Sequence, residues 1–227
     1  MKTPLHIASW AGLLLLAGCL FPGDDREPDD ITPLAVGNTW VYVDSAYYGD
    51  DSIVVSTGET SILGTREVLI EGEAHTVFLS NGHAVGGPPS PISTYVKNIG
   101  HSNYTFGAEL DTARVVGKVL HLEYPTRKGR RYPTYFYSFA EREGNLVPVV
   151  DTIEIEVVDP RHMCVVPAGI FSCVQFRGYY PNGDLFATAY HAPGVGPLGS
   201  EIVRTQPVGD TLREARFVRR LVSVTLH

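Results

Sequence analysis

Three cysteines, Cys19, Cys164 and Cys173, are the side chains of this 227-residue chain best suited to covalent chemistry. Cys164 and Cys173 flank Val166-Pro167-Ala168-Gly169, where proline presets the first corner of a turn and glycine accepts a left-handed backbone. If Ala168 and Gly169 form a two-residue loop, the cysteines oppose each other in a non-hydrogen-bonded pair, within disulfide reach. If Pro167 to Gly169 form a three-residue loop with a bulge, Cys164 opposes Ser172 and a bridge is strained. Two thiols in an oxidising compartment lead us to expect a Cys164–Cys173 disulfide that pins the hairpin.

Other chemistry is sparse. None of the eight histidines sits in HExxH; the nearest ligand-like spacing, His162-Met163-Cys164, puts two donors on one strand face and falls short of a site. Glu154 and Glu156 also share a strand face, a spacing open to paired acid chemistry but more often an exposed charged surface. Gly82 to Gly87 lacks the Lys-Ser/Thr and helix of a phosphate loop, and with Pro88, Pro89 and Pro91 behind it reads as a surface loop. No metal, cofactor or catalytic residue is expected, and the chain is not expected to be an enzyme. A net charge of −7, from 25 acidic and 18 basic residues, with only short basic clusters, excludes nucleic acid as partner.

Cys19 has a different setting. Lys2 precedes a run from Ile7 to Leu16 in which only Ser9 is polar, too short to span a bilayer and followed at once by Leu16-Ala17-Gly18-Cys19. That order resembles the lipobox of bacterial lipoproteins. The resemblance implies that a diacylglyceryl group is attached to Cys19 and that cleavage makes it the first residue of a palmitate-bearing mature chain. Leu20 stands where an Asp would signal inner-membrane retention, so the resemblance implies the outer membrane, with the domain facing the periplasm or the cell surface. From Leu20 to Thr32 the chain reads LFPGDDREPDDIT, linker composition that as a flexible coil would span on the order of 20 Å. The expected organisation is a signal peptide at 1–18, a lipidated cysteine and acidic tether at 19–32, and one β-rich domain at 33–227.

The elements that must position these side chains are strands. Short alternating segments, among them Ile153, Ile155 and Val157 between Thr152, Glu154 and Glu156, are punctuated by turn residues every 8 to 15 positions. The fold expected is mainly β: a single curved antiparallel sheet or half-open barrel of hairpins, with little helix. Asn182-Gly183 predicts a type I′ turn. The best helix candidate runs from Asp210 to Arg220, with a loose period. Pro33-x-x-x-Gly37-x-x-Trp40 recurs as Pro125-x-x-x-Gly129-x-x-Tyr132, each ahead of a strand.

PLAVGNTWVY from Pro33, VPAGIFSCVQF from Val166 and YHAPGVGPLGSE from Tyr190 together resemble motifs of uncharacterised β-rich bacterial envelope lipoproteins. Pro197 and Leu198 depart from that pattern. The resemblance implies a fold similar to lipoprotein carriers of the LolA and LolB type and carries over no catalytic residue. The function expected is binding of an apolar ligand or lipid in the hollow of the sheet, lined by Trp40, Tyr42, Ile155 and Phe171. The alternative is an interaction or scaffold module of an outer-membrane complex, with an envelope protein as partner; a hydrolase ranks third.

Overall fold

Alternation along the strands dictates the architecture: when every second side chain is apolar, one face of a sheet must be covered, and a sheet long enough covers itself by curling. The computed structural model describes residues 29–48, 53–85, 90–110, 113–142, 145–208 and 211–227. The signal segment, Cys19, the tether up to residue 28 and positions 86–89 of the glycine-proline loop lie outside them. In chain order the strands are β1 (Thr39–Tyr48), β2 (Ile53–Ile70), β3 (Glu73–Ala84), β4 (Ile92–Ile99), β5 (Ser102–Leu110) and β6 (Ala113–Leu122). They continue with β7 (Arg131–Arg142), β8 (Asn145–Val166), β9 (Gly169–Tyr179), β10 (Leu185–Ala192), β11 (Gly196–Val208) and β12 (Thr211–Thr225). No helix occurs among the described residues. The strands form one antiparallel sheet in the order β6-β5-β4-β3-β2-β1-β12-β11-β10-β9-β8-β7. Its two edges, β6 and β7, come back to face each other, so the sheet is a nearly closed barrel, as the alternation predicts.

The edges meet without a continuous ladder, and tyrosines bridge the seam. The Tyr132 hydroxyl donates to the His121 carbonyl (3.2 Å) and accepts from the Glu123 amide (3.1 Å), while Tyr137 donates to the Gly117 carbonyl (3.1 Å). Gly117 makes room for this: a Cβ there would stand 2.9 Å from the Tyr137 oxygen. The repeated Pro-Gly-aromatic pattern now has a place. Gly37 and Gly129 both adopt positive φ (95° and 77°), and Trp40 and Tyr132 lie in β1 and β7, the strands that begin the two six-strand halves of the barrel.

One end of the barrel is closed by the segment ahead of β1. Ile31 is fully buried against Leu122, Tyr132, Val157 and Phe176, and its amide donates to the His101 carbonyl (3.1 Å). Asp30 accepts from the Gly194 amide through its carbonyl and from Asn98 through its carboxylate. Asp29 to Thr32, read from the sequence as the last part of the tether, thus lie against the barrel. The tip of the β8–β9 hairpin reaches the same end, where the Ala168 amide donates to the Leu221 carbonyl.

Three local expectations are corrected. Of the Asp210 to Arg220 helix candidate, the described residues 211–220 are strand, because β1 and β11 flank β12 on both sides and bury Ala215 and Leu221 on the alternating pattern of a sheet. Asn182-Gly183 does not form a type I′ turn: among the described residues only Glu71 has positive φ without being glycine, and Gly183 (φ 89°) ends a turn that starts at Tyr180 with Pro181 at its first corner, its amide donating to the Tyr180 carbonyl. The β8–β9 loop is Pro167-Ala168, with Val166 opposite Gly169, so Cys164 pairs with Phe171 and Cys173 with His162. Neither register considered from the sequence occurs. The cysteines are diagonal neighbours across the β8–β9 pair, and their thiols hydrogen-bond each other. Both thiols are buried, and no disulfide joins them in this structure.

Candidate functional site

Strand alternation points Trp40 of β1, Ile62 of β2, Val96 of β4 and Leu122 of β6 inward, and the side chains do not fill the space between them. A cavity of about 240 Å³ remains, bordered also by Phe136 and Leu34. One wall is polar, with Thr60, Ser80, Thr94 and Thr105 from β2 to β5; the opposite wall carries aromatic rings and two histidines, His121 of β6 and His191 of β10. The volume lies below the roughly 300–1,000 Å³ of drug-sized sites, so the space suits a small molecule.

The histidines set the chemistry of this space. The Nδ1 atoms of both are buried with no hydrogen-bond partner. They lie deep in the barrel, and the accessible surface they keep borders the cavity. Burial disfavours the imidazolium and lowers the pKa of His121 to about 4. The same cause, with His121 as a like-charged neighbour, lowers that of His191 to about 3. Both rings are therefore neutral at pH 7, each with one donor and one acceptor nitrogen to offer. Their faces are bounded by aromatic groups: His121 lies edge-on to Phe136 (6.2 Å between centroids) and His191 to Phe176 (6.1 Å).

Farther along the same inner face lies a second space of about 430 Å³ beside Ala46, Val54, Ile202 and Phe217. Its polar feature is an Asp44–Arg219 ion pair. Fully buried Leu198 and Leu221, with Tyr42, pack between this region and the Trp40 cavity.

Of the four ligand-binding residues read from the sequence, only Trp40 borders the first cavity. Its indole donates to the Val195 carbonyl (2.6 Å), and Gly196, at φ 95°, leaves space that a Cβ would take 3.0 Å from that nitrogen. Tyr42 donates to the Pro197 carbonyl (3.2 Å) within packed core, Ile155 is buried among Ile153, Val157 and Phe176, and Phe171 packs beside Cys164 and Val166 at the hairpin end. Glu154 and Glu156 both bond Arg131 at 2.9 Å. His162 turns toward Asp159 (3.8 Å) and the Tyr190 ring. His121, His191 and Phe136 escaped the sequence reading, since an isolated histidine or phenylalanine in a strand carries no spacing signal. Cys19 lies outside the described residues.

No family model matches the chain, and no curated protein matches it. Among solved structures it is similar to a Bacteroides fragilis protein described as a "putative exported protein with YmcC-like fold". The identity is 11%, the alignment covers 87% of this chain and 100% of that one, and the TM-score is 0.45.

Proposed function

We propose that the protein is a lipid-anchored outer-membrane lipoprotein whose barrel binds a small, mostly apolar molecule bearing one hydrogen-bonding group. The observation that carries the binding reading is the luminal cavity that His121 and His191 border together with apolar and aromatic side chains. The hydroxyl-bearing wall of Thr60, Ser80, Thr94 and Thr105 supplies the partners for the ligand's one hydrogen-bonding group. The anchor reading rests on the Leu-Ala-Gly-Cys19 motif behind its apolar run.

Every strand lies within 39–225, so a Cys19→Ser chain without residues 1–18 keeps the barrel and holds Trp40 as its one tryptophan. Titration with 1-octanol should give a saturable change in Trp40 fluorescence, and Val96→Phe, which fills the cavity, should abolish it while the protein still melts cooperatively. No saturable change in the unsubstituted chain overturns the binding reading. A stoichiometric envelope protein partner, recovered from solubilised membranes with no small molecule bound, would favour the scaffold alternative. Lipidation is tested separately by the N-terminal mass of the membrane-extracted protein, which should carry acyl chains on Cys19.

A further inference from the structure

The end of the barrel where the N-terminal segment docks carries a groove lined by three basic side chains. Asp29 lies against the β10–β11 turn, its carboxylate 2.9 Å from where a Cβ on Gly194 would sit. Beside it a groove of about 530 Å³ runs between Tyr124, Arg127, Lys128, Arg161, Ser172 and Pro193. None of its three cationic side chains forms an ion pair among the described residues. Thr126, at the groove floor, has a hydroxyl with no partner.

The groove continues into an apolar strip. Met163 stands opposite Ser172 and Val165 opposite Ile170 on β8 and β9, so all four share the face that carries Arg161. That face is outward: Met163, Val165 and Ile170 are 60%, 72% and 69% exposed. Three large apolar side chains at a hairpin tip, next to three cations with no ion pair among the described residues, match the layered chemistry of an anionic bilayer surface, with phosphate outermost and hydrocarbon beneath.

The chain itself brings a bilayer to this end. Nine residues lie between Cys19 and Asp29, ten steps of chain with a reach of at most about 35 Å when fully extended. We propose that this end of the barrel docks on anionic phospholipid, Arg127, Lys128 and Arg161 holding headgroup phosphates while Met163, Val165 and Ile170 enter the acyl boundary. The orientation rests on the lipid-anchored reading of Cys19; the chemistry of the surface does not. Docking so directed leaves the β9–β10 turn, at the opposite end of an up-and-down barrel, facing away from the membrane.

The test uses the full-length protein extracted from membranes and reconstituted in 3:1 phosphatidylcholine–phosphatidylglycerol vesicles with brominated acyl chains, which quench nearby tryptophan. Val165→Trp should be quenched, and Val85→Trp, an exposed position at the opposite end, should not. Arg127→Glu, Lys128→Glu and Arg161→Glu combined should reduce the quenching severalfold, since each basic side chain near such a surface contributes roughly fivefold to partitioning. Equal quenching at the two positions, or none at Val165→Trp in protein whose Cys19 is acylated, overturns the docking proposal. Quenching at Val165→Trp by added vesicles in protein whose Cys19 carries no acyl group sinks the anchor reading and upholds docking.

Discussion

Asp44 and Arg219 stand directly opposite each other on β1 and β12, and the carboxylate accepts two guanidinium hydrogen bonds of 2.7 and 2.9 Å beside the Tyr42 ring. Gly58 on β2 permits this geometry. A Cβ at that position would stand 2.5 Å from the Asp44 Oδ2 atom and 3.2 Å from Arg219 Nη2. The Arg219 side chain is 40% exposed, so solvent screens the pair and its coupling should be modest, about 1 kcal/mol in a double-mutant cycle of Asp44→Ala and Arg219→Ala. In a Gly58→Ala background the same cycle, measured by urea unfolding, should show coupling near zero. Undiminished coupling there would mean that the carboxylate keeps its bonds from another position.

The seam offers a sharper test. Tyr132 is 5% exposed, and its hydroxyl satisfies a carbonyl of β6 and the amide of Glu123 just beyond that strand. Tyr132→Phe keeps the ring and strands both backbone groups, so it should destabilise the protein by about 1–3 kcal/mol, more than a typical exposed tyrosine. Hydrogen exchange should report the location: the Glu123 amide should lose protection while the β2–β3 ladder does not. Unchanged protection at Glu123 would show that the ring, not the hydroxyl, closes the seam.

These two relationships mark where sequence reading stops. The sheet was legible because alternation such as Ile153, Ile155 and Val157 reports a half-buried strand from local information alone. Asp210 to Arg220 misled because its loose period suits helix as well as strand; the choice is made by β1 and β11, which are distant in sequence. Both β8–β9 loops read from the sequence include Gly169, whereas the loop is Pro167-Ala168, and so small a change in the loop moves every cross-strand partner. The Glu71-Gly72 turn, with both residues at positive φ, drew no notice because Glu seldom adopts that conformation. Of the site, Trp40 was legible as the aromatic that follows the Pro33–Gly37 turn. His121 and His191 come from β6 and β10 and meet only because the barrel nearly closes, which no spacing can express.

The cysteine pair predicts low reactivity. Cys173 is 1% exposed, and burial, with Cys164 beside it, pushes its thiol up to about 12; burial raises Cys164 as well. At pH 8 few thiolates form, and iodoacetamide should label neither cysteine in the folded protein while labelling both after unfolding in urea without reductant. Labelling of neither in urea, with an intact mass two hydrogens lighter, would show instead that the strands shift to oxidise the pair.

Stability against pH should follow His121 and His191. Their folded-state pKa values of about 4 and 3 lie below the ordinary value of 6.5, so the unfolded chain takes up protons that the folded chain refuses. Stability from these groups is thus complete above about pH 6.5 and falls as the pH drops toward their folded values, with a limiting slope of about 1.4 kcal/mol per pH unit for each histidine. Between pH 6.5 and 5 the carboxylates contribute little, which isolates the effect. A His121→Leu/His191→Leu protein should accordingly show a flatter urea-derived stability profile across that window than the parent, the remaining histidines cancelling in the comparison. Parallel profiles would mean that water in the cavity solvates both rings well enough to let them charge in the folded state.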